Sequence, residues 1–144
     1  MIAETFLDTS ILLEAANGAS ASPHRHGIAQ GLLTTPFGTS AQVLSEFYTL
    51  ATRSIPQPLP EETASRWVEL LRQKTVQPVD AGLVTSSIAL SREHDAAPGD
   101  TLILAAAERL GCKTLFSERL THGKTYGSVR VVNPFLDDTP AEEG

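Results

Sequence analysis

The stretch Leu102-Ile103-Leu104-Ala105-Ala106-Ala107 is apolar in every direction around a helix. A helix without a polar face has to be covered on all sides, so this one is expected at the centre of a layered fold. Its limits are also written in the sequence. Pro98-Gly99 makes a turn, Asp100 stands where the helix dipole favours an acid, and Gly111 supplies a stop, which predicts a helix over Asp100 to Leu110.

The rest of the chain supplies the covering layers. Ile2 to Leu7, Thr75 to Val79, Lys113 to Phe116 and Val129 to Val132 read as short strands. Helices are expected from Ile11 to Ala16, from His24 to Leu33, from Ser40 to a point before Pro56, from Glu61 to Lys74, and after an Asp80 cap. Pro36-Phe37-Gly38 reads as a break. Trp67, Leu70 and Leu71 form the expected apolar face of the fourth helix, and Leu83, Val84, Ser87, Ile88 and Ser91 that of the fifth. Strands alternating with helices predict the α/β class, with a mostly parallel central sheet and helices on both faces. Ligands of such sheets bind beyond the carboxyl ends of the strands.

With 144 residues and 41% of them hydrophobic, the chain can bury a core as one domain, expected over residues 1–136. Residues 137–144 read as a flexible acidic tail. Asp137, Asp138, Glu142 and Glu143 lie there, and without these four acids the net charge of −6 falls to −2. An acidic body argues against a protein that simply coats nucleic acid, unless bound cations reverse the local sign. The single cysteine, Cys112, excludes an intrachain disulfide. No apolar run approaches the roughly 18 residues of a membrane span, and the N-terminus lacks the pattern of a signal peptide. A cytoplasmic protein with no membrane association is expected.

Three acids occupy telling places. Asp8 follows the first strand, Glu46 borders the apolar stripe of the helix that opens at Ser40, and Asp100 opens the central apolar helix. Each has an ordinary reading, as a helix cap, a solvated helix residue and a dipole-favoured acid respectively. The expected fold brings all three towards one end of the sheet. Clustered carboxylates repel, and hard cations such as Mg²⁺ and Mn²⁺ hold such clusters through oxygen ligands.

At these residues the sequence resembles the PIN-domain family, specifically VapC-type toxins of bacterial toxin–antitoxin pairs. The resemblance is carried by Phe6-Leu7-Asp8-Thr9-Ser10-Ile11-Leu12-Leu13, by Ser40-Ala41-Gln42-Val43-Leu44-Ser45-Glu46-Phe47, and by Gly99-Asp100-Thr101-Leu102-Ile103-Leu104-Ala105-Ala106-Ala107. It continues in Thr114-Leu115-Phe116-Ser117-Glu118-Arg119-Leu120, His122-Gly123 and Val131-Val132-Asn133-Pro134-Phe135, in the family's order and over almost the whole chain. It implies a Mg²⁺- or Mn²⁺-dependent endoribonuclease with Asp8, Glu46 and Asp100 as catalytic, metal-binding acids. It also implies an RNA substrate, a cognate antitoxin protein and a homodimer. Thr9, Ser10 and Ser117 are supporting candidates, since their hydroxyls can bond an acid or a metal-bound water.

One departure stands out. After the fourth strand the family usually reads Ser-Glu-Asp-Leu, where this chain reads Ser117-Glu118-Arg119-Leu120. Three acids and one arginine sum to −2 where four acids would give −4. Glu118 is the adjacent candidate for a replacement ligand, although neighbouring residues point to different sides. Arg119 can bind a substrate phosphate or act in cis like an inhibitory base. The alternative function is therefore a weakly active or inactive PIN domain that binds antitoxin or RNA without cleavage. An Asp-phosphorylated switch is disfavoured, because the first strand lacks a paired acid at its end. His24, Arg25 and His26 read as a solvated helix start, His122 as a surface loop, Asp95 as a loop or cap, and Cys112 as structural.

Overall fold

The computed structural model describes residues 3–18 and 22–136. Ile2, at the start of the first expected strand, and the acidic tail expected at 137–144 lie outside the described residues. The chain runs β1 (Thr5–Leu7), α1 (Thr9–Ala16), α2 (Pro23–Leu33), β2 (Gly38–Ser40), α3 (Ala41–Arg53), α4 (Glu61–Leu71), β3 (Thr75–Gln77), α5 (Ala81–His94), α6 (Pro98–Arg109), β4 (Thr114–Phe116), β5 (Thr125–Tyr126) and β6 (Val129–Val132). The strands form one sheet in the order β3-β2-β1-β4-β6-β5. All neighbours are parallel except β5 on β6. This is the expected α/β class with a mostly parallel sheet.

The apolar helix α6 is the centre it promised to be. Ile103 to Ala107 are all buried, and α6 meets β2, β3, β4 and β6 while α5 packs along it. The other helical group is α1 with α2 and α3, and α3 with α4. Phe47 on α3, fully buried, meets the Trp67 ring of α4 at 5.9 Å between centroids. The stop at Gly111 is a left-handed closure, φ +80, in which Gly111 N–H donates to Glu108 O and Cys112 N–H donates to Ala107 O.

Several elements differ from the sequence reading. Gly38–Ser40 is a buried strand where a break was expected. Its Thr39 hydroxyl donates to Leu7 O, and a Cβ at Gly38 would sit 2.9 Å from Leu110 Cδ1. A residue that reads as a strand breaker thus packs closely against the Leu110 side chain at the end of α6, and any larger residue there would push that side chain aside. The edge strand β5 carries only Thr125 and Tyr126, too short for any periodic signal. Helix α6 opens at Pro98 with Ala97 as its cap, so Asp100 sits inside the first turn. On α5, Leu83 and Ser87 face inwards while Val84 and Ile88 are exposed, and on α4 Leu70 is 67% exposed.

The sheet order matters for the site. Strand β1 is flanked by β2, which leads to β3, and by β4, which leads to β6. The winding reverses at β1, and the crevice of such a sheet opens beyond the carboxyl ends of the strands at that reversal. Asp8 directly follows β1 and Ser117 directly follows β4.

Candidate functional site

Asp8 combines two jobs. Its backbone N–H donates to Phe116 O, which holds it beside the end of β4, and its Oδ1 accepts from Thr9 N–H at 2.6 Å as α1 begins. The ordinary capping reading is therefore true of one oxygen. The other, Oδ2, accepts from the Ser117 hydroxyl at 2.7 Å and from Arg119 Nε at 2.9 Å. The Asp8 side chain is 1% exposed.

Glu46 arrives from α3, whose first turn is fixed by Ser40 Oγ accepting from Val43 N–H. Its Oε1 accepts from the Thr9 hydroxyl at 2.7 Å and from Arg119 Nη2 at 2.6 Å. Its Oε2 accepts from Gln42 Nε2 at 3.1 Å. Asp100 arrives from the first turn of α6. That turn is tied to α5 by the buried Thr101 hydroxyl, which donates to Ser87 O. Asp100 Oδ1 lies 3.5 Å from Arg119 Nη1.

The three expected acids thus meet, but they meet around Arg119. One guanidinium directs its three nitrogens at three carboxylates from three elements. Burial pushes the Glu46 carboxyl up, yet hydrogen bonds from Arg119 and Thr9, the Arg119 charge and the Gln42 bond together hold it below the ordinary glutamate value. Burial also works against the Arg119 charge, but Asp8, Glu46 and Asp100 outweigh it and raise the guanidinium above the ordinary arginine value.

Glu118 does not face this cluster. Its carboxylate lies 3.3 Å from Arg25 Nη2 on α2, and the same arginine meets Glu14 at 3.5 Å and stacks over the Phe135 ring. Ser117 and Thr9 are part of the hydrogen-bond set, whereas the Ser10 hydroxyl is buried without a hydrogen-bond partner among the described residues. Gln42 was missed by the sequence reading. Its Nε2 bridges Glu46 and Gly99 O, joining α3 to the start of α6. Its position four residues before Glu46, on the same helix face, is the signal that was available.

The residues set aside earlier have ordinary roles. Asp95 closes α5 with a left-handed backbone, His122 Nδ1 accepts from Asn133 N–H, and His26 Nδ1 meets Glu14 O. Burial pushes the Cys112 thiol up to about 11, and its Sγ meets Ala3 O.

A hard divalent cation would need these carboxylate oxygens at about 2.0–2.6 Å, free of competing donors. Here one oxygen each of Asp8 and Glu46 accepts a guanidinium N–H, and the Asp100 oxygen lies 3.5 Å from the third guanidinium nitrogen. Among the described residues no group of three or more His, Cys, Asp or Glu side chains is disposed to hold a metal ion. As arranged, with Arg119 in the middle, the donor set does not fit a metal.

The sequence matches the family model "PIN domain" over residues 5–119. Similar solved structures include the sarcin-ricin loop cleaving toxin VapC20 of Mycobacterium tuberculosis, at 24% identity and TM-score 0.62, covering 79% of this chain and 88% of that one. A toxin-antitoxin complex from Klebsiella pneumoniae matches at 21% identity and TM-score 0.65, covering 91% and 98%. DNA-bound VapBC from Salmonella typhimurium matches at 19% identity and TM-score 0.61, covering 90% and 97%. At these identities the structural likeness speaks to the fold. No curated protein sequence matches the chain.

Proposed function

This chain belongs to the PIN domain family, and from that premise we propose that it acts on RNA as the toxin member of a toxin–antitoxin pair. The observation that carries the reading is the meeting of Asp8, Glu46 and Asp100, from three separate elements, at the reversal point of the sheet. A fold has little reason to gather three carboxylates there for stability alone, because their mutual repulsion has to be offset. The similar structures, a sarcin-ricin loop cleaving toxin and a toxin–antitoxin complex, support the same class of function.

The resemblance implies endonucleolytic cleavage with Mg²⁺ or Mn²⁺. The arrangement around Arg119 favours the second reading, in which the domain binds RNA or antitoxin and cleaves weakly or not at all. Asp8, Glu46 and Asp100 remain the acids of the centre in both readings. Thr9, Ser117 and Gln42 orient two of them, and Arg119 sets the local charge. A homodimer, an antitoxin partner and a cytoplasmic location belong to the proposal. Among the described residues no helix is long and apolar enough to cross a membrane. Val84 and Ile88, exposed one turn apart on α5, offer a face for a second copy.

The test is incubation of total RNA and Mn²⁺ with the wild-type chain, with Arg119→Asp, and with Asp8→Asn in the Arg119→Asp background. Cleavage by Arg119→Asp that the added Asp8→Asn abolishes is expected, with the wild type far slower. RNA retained without cleavage by all three would support the second reading. A chain that neither binds nor cuts RNA in any form would remove RNA from the proposal.

A further inference from the structure

We propose that Arg119 is the resident cation of this centre, its guanidinium standing where a divalent metal ion would stand among Asp8, Glu46 and Asp100. The proposal takes from the preceding reading only that these acids form one centre, and it holds whether or not RNA is the ligand. The folded chain on this view keeps its acids together with no metal bound, and metal and guanidinium exclude one another.

The geometry is that of a built-in counter-ion and not of a surface contact. Exposed ion pairs are commonly single, mobile and of little consequence. Arg119 instead sends Nε to Asp8 at 2.9 Å, Nη2 to Glu46 at 2.6 Å and Nη1 to Asp100 at 3.5 Å, and one of these partners is 1% exposed. The planar fork of a guanidinium suits it to several carboxylates at once, in a way a lysine ammonium does not match. Root and tip are fixed to the same acid. Arg119 N–H donates to Ser117 Oγ, and Ser117 Oγ donates to the Asp8 oxygen that also accepts from Arg119 Nε.

Two routes of escape are closed in this arrangement. Arginine does not lose its proton near neutral pH, so raising the pH does not free the acids. Glu118 does not supply a replacement ligand in this arrangement, since its carboxylate is turned away towards Arg25. Removing the guanidinium leaves three acids with a formal −3, which a divalent cation would then stabilise. Charge separation of a few ångströms makes the difference large enough to change affinity at least about tenfold.

The experiment uses the full chain without RNA. Mn²⁺ is titrated into wild type, Arg119→Ala and Arg119→Asp, with free Mn²⁺ followed by electron paramagnetic resonance and thermal melting measured with and without Mn²⁺. The wild type is expected to leave the free-ion signal undiminished and its melting temperature unmoved. Both variants are expected to bind Mn²⁺ at least about tenfold tighter and to melt higher with it. Adding Glu46→Gln to Arg119→Asp should weaken that binding. Wild type binding Mn²⁺ as tightly as the variants would overturn the proposal, as would failure of folded Arg119→Asp to bind at all. Should either variant not fold without metal, recovery of its folding on adding Mn²⁺, beside the wild-type titration, still decides it. Because no readout involves RNA, failure of the RNA reading leaves this result intact.

Discussion

Glu46 shows how a half-buried acid is kept charged. The donors around it are Arg119, Thr9 and Gln42, and their sum outweighs burial. A carboxylate whose folded pKa lies below its unfolded value, about 4.3 for glutamate, adds stability above that value and loses it as the pH falls through the lowered one. Glu46→Gln removes this term. Urea denaturation from about pH 7 to about pH 3 should show the stability gap between wild type and Glu46→Gln closing on acidification. A gap independent of pH would mean that Glu46 acts through packing alone. The positions of Asp8, Glu46 and Asp100 were legible because each follows or borders a readable element. The partners were not. Which side Glu118 takes depends on Arg25, 93 residues earlier, and nothing local encodes that pairing.

Helices were more legible than strands, and the reason is length. Helix α3 carries a repeating apolar stripe and a Ser40 cap, and both were readable. Ser40→Ala should cost about 1 kcal/mol by freeing a backbone N–H at the start of that helix. Chemical denaturation measures it, and an unchanged midpoint would show that the cap is dispensable. The three-residue strand β2 offers no period to count, and its Gly38 packs against Leu110 and Thr75, residues distant in sequence. On α5 the apolar positions were visible, but Val84 and Ile88 turned out to face away from the core. A sequence pattern tells which residues share a face, and the neighbouring helix decides which face is covered.

At the scale of the whole molecule, the exposed pair on α5 bears on assembly. Replacing Ile88 with Asp should shift a dimer to monomers in light scattering and leave the fold intact, because Ile88 is 47% exposed in the single chain. A wild-type chain that is monomeric across working concentrations would remove the dimer. The sheet order also sets when the centre is completed. The Asp8–Arg119 contact spans 111 residues. At synthesis rates of about 5–20 residues per second, roughly 5 to 20 s separate the translation of its two ends. During that interval Asp8, then Glu46, then Asp100 are made before the arginine that neutralises them. The growing chain must therefore rely on solvent counter-ions for charges that the folded molecule balances internally, and the centre closes only after Arg119 has been translated.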